Sequence, residues 1–163
     1  MKYAYQAYDE AHMARAYGSV LPISLKKTVV ICDQIRGKKV ADSIKMLKRV
    51  EKMDQAIPFE RYNKGGIGHK PGMGPGRYPI ATSVEVRKIL EEALANAQFK
   101  GLNTSNLVIV HVAAQKTAKQ WHYGRKRRRS MKRANLEVVV AESSEKAEKS
   151  EKPKNEKPKK GAQ

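Results

Sequence analysis

Lys116-Thr-Ala-Lys-Gln-Trp-His-Tyr-Gly-Arg-Lys-Arg-Arg-Arg-Ser-Met-Lys-Arg133 joins two apolar, β-rich runs, Leu107-Val-Ile-Val-His-Val112 and Leu136-Glu-Val-Val-Val140. Nine Lys and Arg fall within it, and no Asp or Glu occurs anywhere from Ala93 to Leu136. The flanking runs suit two antiparallel strands, but the 23 residues between them are far more than the two to five of a tight turn. Either the strands continue outward as a ribbon or the connection is a loop. Ten extra residues per arm would project it by roughly 30 Å. Gln115, Lys116, Thr117 and Lys119 give such a ribbon no core of its own. Charge packed this densely repels itself and calls for a polyanion alongside. Nucleic acid is the leading candidate, because Lys and Arg displace the counterions of phosphates.

The rest of the chain sets limits on this reading. Its 163 residues carry 34 Lys and Arg against 16 Asp and Glu, a net charge of +18. That length suits one domain with appendages. No apolar run approaches the roughly 18 residues of a membrane span, and no helix pairs a basic face with a Trp/Phe/Leu face, so no membrane partner is expected. The polar start Met1-Lys-Tyr-Ala-Tyr-Gln6 lacks a secretory apolar core, and Cys32 is the sole cysteine. Both fit a cytoplasmic protein. Residues 142–163 hold seven Lys and five Glu, with no aromatic or branched aliphatic residue. They are expected to form a disordered tail, leaving residues 1–141 as the folded unit.

Within that unit, residues 14–21 read as extended. Ser24 can cap a helix whose stripe is Leu25, Val29, Cys32 and Ile35, closed by Gly37; Cys32 lies on the stripe as a small core residue. A second helix is expected over about residues 40–53, with Val40, Ile44, Leu47 and Val50 or Glu51 inward. Thr82-Ser-Val-Glu85 reads as a capping box opening a third helix, with Val86, Leu90, Ala93 and Ala97 on one face and Gly101 just past its end. Between the second and third helices, residues 55–81 show no periodicity, and their glycines and prolines argue against regular structure. This loop has no acid between Glu60 and Glu85, yet it holds Arg61, Lys64, Lys70 and Arg77 beside Tyr62, His69 and Tyr78. Glycines allow close approach of backbone to phosphate, and the aromatic rings offer faces for bases. No Gly-Lys-Ser/Thr or Gly-x-Gly-x-x-Gly opens a helix here, so a mononucleotide or dinucleotide cofactor is not indicated.

Ala14-Arg-Ala-Tyr17, Leu21-Pro-Ile-Ser24, Ile31-Cys32, Ile35-Arg-Gly37, Arg61-Tyr-Asn63, His69, Gly76-Arg-Tyr-Pro79, Ala95-Asn-Ala97, Lys100-Gly-Leu102 and Glu137-Val-Val139 stand in this order. In that set the chain resembles the universal large-subunit ribosomal protein family of the exit tunnel, number twenty-two in the bacterial series, in its archaeal form. The resemblance covers about residues 10–141. It implies an α+β fold, three helices on a small three-stranded antiparallel sheet, with one long protruding β-hairpin at about residues 107–140. It further implies a structural protein of the large subunit whose hairpin enters large-subunit rRNA and whose tip, near residues 121–132, lines the nascent-peptide tunnel. Neighbouring large-subunit proteins and the nascent peptide are then partners, with no cofactor. The tip departs from many relatives, which place Pro, Ala and Phe around a few arginines.

The residues expected to touch rRNA follow from both lines of reasoning. Arg125, Lys126, Arg127, Arg128, Arg129, Lys132 and Arg133 are phosphate contacts of the tip, with Lys116 and Lys119 on the arm. Trp121, His122 and Tyr123 are positioned to stack on bases at about 1–3 kcal/mol each; Trp121 could instead staple the ribbon. Arg15, Arg36, Arg61, Lys64, His69, Lys70 and Arg77 contribute from the globular part. An enzyme is not indicated: His12, His69, His111 and His122 are scattered, no nucleophile–base spacing is present, and no metal motif appears. His111, inside a strand, reads as a satisfied core or sheet-face histidine. A free basic nucleic-acid binder is the alternative, although no helix-turn-helix, zinc finger or aromatic RNP strand supports it.

Overall fold

The computed structural model describes residues 3–143. The expected disordered tail lies, from residue 144 onward, outside the described residues. Three strands form the main sheet: β1 (Met13–Leu21), β5 (Leu107–Lys116) and β6 (Ala134–Glu142), ordered β1-β6-β5 and antiparallel throughout. Helices α1 (Leu25–Ile35), α2 (Val40–Glu51) and α3 (Ile80–Phe99) pack on one face of it. This is the expected α+β arrangement of three helices on a three-stranded antiparallel sheet.

The core is the meeting of period-two and helical stripes. Ala14 and Ala16 of β1, Leu107, Ile109 and Val112 of β5, and Leu136, Val138 and Val140 of β6 face Ile31, Ile35, Leu47, Val50, Val86, Leu90, Ala93 and Ala97. The small Ala14, Ala16, Ala93 and Ala97 let α3 lie close on β1. The stripe of β5 changes parity midway. A bulge between Ile109 and His111 leaves Val110 outside the ladder and returns Val112 to the core, which puts His111 on the opposite face. Cys32 is buried among these residues, and burial pushes its thiol up to about 12, so it packs as an inert apolar group.

Three local expectations change. The capping box at Thr82–Glu85 does not form: α3 begins at Ile80, Pro79 occupies the cap, and Thr82 and Ser83 are buried in the first turn. Pro79 supplies the carbonyl that the Thr82 and Ser83 N–H groups donate to, at 3.0 and 2.9 Å, and Glu85 instead accepts from Lys88 Nζ at 2.9 Å. Ser24 does precede α1, but its side chain makes no capping bond; its carbonyl accepts from both the N–H and the hydroxyl of Thr28. The second helix stops at Glu51, two residues early, because Met53 turns into the left-handed region at φ 63°. Gly101 does take the left-handed turn past α3, at φ 75°.

The glycine-rich stretch is more ordered than its composition suggests. β2 (Ile57–Pro58), β3 (His69–Lys70) and β4 (Gly74–Arg77) form a second small antiparallel sheet, ordered β2-β4-β3. Phe59 and Ile57 anchor it in the core.

The face of the main sheet turned away from the helices is closed by the N-terminal segment. Glu137, fully buried on β6, accepts hydrogen bonds from the Ala4 N–H (3.0 and 3.1 Å), the Tyr5 N–H (3.3 Å) and Gln115 Nε2 (3.0 Å). His111 Nε2 lies 2.8 Å from the same carboxylate; an acceptor-only group requires the ring proton on that nitrogen. Tyr8 is gripped further along, with the Arg15 guanidinium 4.5 Å and Lys100 Nζ 5.2 Å from its ring centre. The short Tyr/Ala-rich sequence of residues 3–8 gave no sign of this strap, because the partners that fix it are far away along the chain.

Candidate nucleic-acid interface

The β5–β6 ladder ends at Lys116↔Ala134. Beyond it the arms part and then meet again. The Met131 N–H donates to Gln120 O at 2.7 Å, Trp121 bridges to Ser130, and the His122 N–H donates to Arg129 O at 2.8 Å. A 3₁₀ turn at Gly124–Lys126 then reverses the chain, with Gly124 and Arg128 in the left-handed region. The connection is thus a protruding hairpin with a regular base and an irregular tip, held by backbone bonds and not by a core.

That irregularity displays the side chains. Arg125, Lys126, Arg127, Arg128 and Arg129 are all exposed, and none forms an ion pair among the described residues. Trp121 is 67% exposed and Tyr123 is 88% exposed. The ribbon-staple reading of Trp121 therefore fails, and two aromatic faces stand free beside five cations.

Where the arms part, a cleft of about 390 Å³ opens against the first turn of α1, lined by Ser24, Leu25, Lys26, Lys116, Lys119, Lys132 and Arg133. It adjoins a hollow of about 350 Å³ lined by Pro22, His122, Ser130, Met131, Lys132 and Arg133. On the other side, Lys26 is shared with a cleft of about 440 Å³ lined also by Tyr62, Asn63, Lys64 and Arg77. The three hollows share residues in sequence. They form a track from the hairpin to the glycine-rich stretch, with no carboxylate on its walls among the described residues. The Arg133 Nε on this track is buried without a partner in the described structure.

The fold therefore brings Lys64, Arg77, Lys116, Lys119, His122, Lys132 and Arg133 together along one track. Other candidates stand apart from it. Arg15 is on the strap face, stacked over Tyr3 and Tyr8 at 4.6 and 4.5 Å. Arg36 donates to Val112 O at 3.2 Å and lies 3.5 Å from Asp33, which also lies 3.7 Å from Arg61. His69 is exposed on β3 opposite Pro75, and Lys70 lies over the Tyr78 ring at 5.2 Å. Lys26 was not foreseen. The available signal was its place in the first turn of a helix with no acid there, where a cation opposes the helix dipole.

Among the described residues, no group of three or more His, Cys, Asp and Glu could hold a metal ion, and no helix is long and apolar enough to cross a membrane. Among the described residues, His111 is the one histidine with a buried carboxylate partner, and that partner also holds the strap.

Fold and site together define a basic α+β protein with a protruding Arg-rich hairpin and a track along its base that is, among the described residues, free of carboxylates. The chain matches the ribosomal protein L22p/L17e family over residues 16–141 and belongs to it, a family of structural ribosomal proteins and not of enzymes. Among its curated relatives is the large ribosomal subunit protein uL22 of Archaeoglobus fulgidus, 45% identical over 119 residues, which cover 71% of this chain and 76% of the relative. The proteins of the same name from Staphylothermus marinus and Thermoplasma acidophilum are each 38% identical, over 86% of this chain and 96% of theirs.

Proposed function

We propose that this protein is a structural constituent of the large subunit of the cytoplasmic ribosome that binds large-subunit rRNA, with its hairpin reaching the wall of the nascent-peptide exit tunnel. The observation that carries the reading is the tip: five consecutive exposed cations without acidic partners among the described residues, flanked by exposed Trp121 and Tyr123. Such a cluster is stabilised only by a polyanion that replaces the missing counter-charge, and folded rRNA supplies phosphates on several sides of an inserted ribbon. Trp121, His122 and Tyr123 stack on bases, and the tip cations neutralise phosphates. The track from His122 to Arg77 guides a second length of backbone along the hairpin base. Neighbouring large-subunit proteins and the nascent peptide complete the set of partners. Residues 1–141 act as the ribosomal domain, with the Lys/Glu-rich tail as an appendage.

The test is the salt dependence of affinity for a large-subunit rRNA fragment. With about eight phosphates engaged, log Kd against log salt should have a slope of magnitude roughly 6–7. Replacing Arg125, Lys126, Arg127, Arg128 and Arg129 by Gln removes five of these contacts and should reduce the magnitude by roughly 3.5–4.5. A slope near 1 for the unaltered protein would overturn the proposal.

A further inference from the structure

We infer that the cleft between the first turn of α1 and the glycine-rich stretch is a site for one unpaired ribonucleotide, with the base stacked on Tyr62 and the phosphate held by Lys26, Lys64 and Arg77. The inference rests on the RNA-binding reading above and gives that surface a second kind of ligand contact, distinct from phosphate contact at the tip.

Three observations converge. The cleft measures about 440 Å³, within the range of sites that hold small molecules, and among the described residues its walls combine one aromatic ring, one amide and three cations without a carboxylate. That is the complement of a nucleotide: a flat π surface, a polar edge and an anion.

The second observation is strain. Tyr62 sits at φ 59°, in the left-handed region that bulky residues avoid. Gly or Asn would make this turn more easily. The tyrosine ring does not compensate through burial, because the residue is 41% exposed. Strain kept at an exposed aromatic residue is a pattern found at binding positions.

The third is orientation. Lys26 Nζ and the Arg61 guanidinium each lie 5.5 Å from the centre of the Tyr62 ring, so cations hold the ring in place before any base arrives. Asn63 is fixed by donation from Nδ2 to Glu60 O at 3.3 Å, and its Oδ1 accepts no hydrogen bond among the described residues. That oxygen remains available to the edge of a base.

The test compares three probes on the full chain: a single-stranded RNA hexamer, a blunt RNA duplex of equal charge, and a hexaglutamate peptide. The amide resonances of Tyr62, Asn63 and Lys64 report the cleft directly. They should shift with the hexamer and move little with the duplex or the peptide. Affinity for the hexamer is then measured in a background with Arg125, Arg127, Arg128 and Arg129 changed to Gln, so that the tip does not mask the cleft. Tyr62→Asn should melt no lower than its parent, since Asn accepts the left-handed turn, yet bind about 5- to 150-fold more weakly with an unchanged salt slope. Tyr62→Phe should bind like the parent. Equal binding by Tyr62→Asn and its parent would overturn the inference. So would equal shifts with duplex and hexamer, which would mark a plain phosphate groove, or equal shifts with the peptide. A tip-neutralised chain that keeps full affinity for rRNA would instead refute the broader reading.

Discussion

Replacing Glu137 should release the N-terminal strap and cost the fold several kcal/mol while leaving the Arg-rich tip untouched. The carboxylate is fully buried and receives four donors: the Ala4 and Tyr5 N–H groups, His111 Nε2 and Gln115 Nε2. Hydrogen bonds to a charged acceptor contribute about 1.5–3 kcal/mol each, against about 0.5–1.5 kcal/mol for neutral pairs. Glu137→Gln keeps one oxygen, and Gln115 can turn its amide to meet the new NH2. The loss is then mainly charge assistance on three bonds, partly offset by the relief of desolvating an anion, about 2 kcal/mol in all. Glu137→Leu strands every donor in a buried place and should cost about 3–5 kcal/mol. For a domain of this size each kcal/mol lowers Tm by about 3–4 °C, so the expected shifts are about 6–8 °C and at least 10 °C. Circular dichroism melts measure them, and hydrogen exchange should show the Ala4 and Tyr5 amides losing protection first. Affinity for rRNA at a temperature where both variants are folded should match the parent. If both variants melted within about 1 °C of the parent, the carboxylate would not be holding the strap and the reasoning would fail.

Two other outcomes follow from the same structure. Deleting residues 124–133 removes only exposed or half-buried side chains beyond the ladder, so helical circular dichroism and Tm should persist while tight rRNA binding is lost; unfolding would mean that the tip packs in the core. Cys32 should resist iodoacetamide in the folded protein at pH 8 and react on denaturation, because burial raises its pKa to about 12. The folded thiol ionises later than the unfolded one, so its contribution to stability is complete below about pH 8.5 and is lost as pH rises toward 12. A Cys32→Ala chain should lack that part of the alkaline decline.

The helices and the main strands were readable because their signals are local. The stripes Val40–Leu47–Val50 and Val86–Leu90–Ala93–Ala97 repeat at helical spacing and are buried as that spacing requires. The runs from Leu107 and Leu136 pair as their composition suggests. Where a local signal competed with packing, packing won: Thr82 and Ser83 form a good cap on paper, but burial draws them into the first turn of α3. The second sheet was hidden because two of its strands have two residues and the third is the Gly-Pro-Gly-Arg of β4, too short and too glycine-rich to show a period. The grouping around Glu137 depends on register. Only the bulge at Val110 puts His111 on the face that Glu137 and Gln115 share, and the sequence carries no mark of a single inserted residue. At the candidate interface, the tip cations were evident from charge density alone. The shared cleft at Lys26 required knowing that α1 starts beside the hairpin base.

The central claim is that the Arg-rich tip is a wedge in rRNA, and cryo-electron microscopy of large subunits containing this chain tests it most directly. Density for residues 121–133 should run between rRNA segments to the tunnel wall, with guanidinium groups of Arg125 and Arg127 to Arg129 at phosphates and Trp121 or Tyr123 against a base. A hairpin lying on the solvent side of the particle, with its arginines free of RNA, would contradict the account.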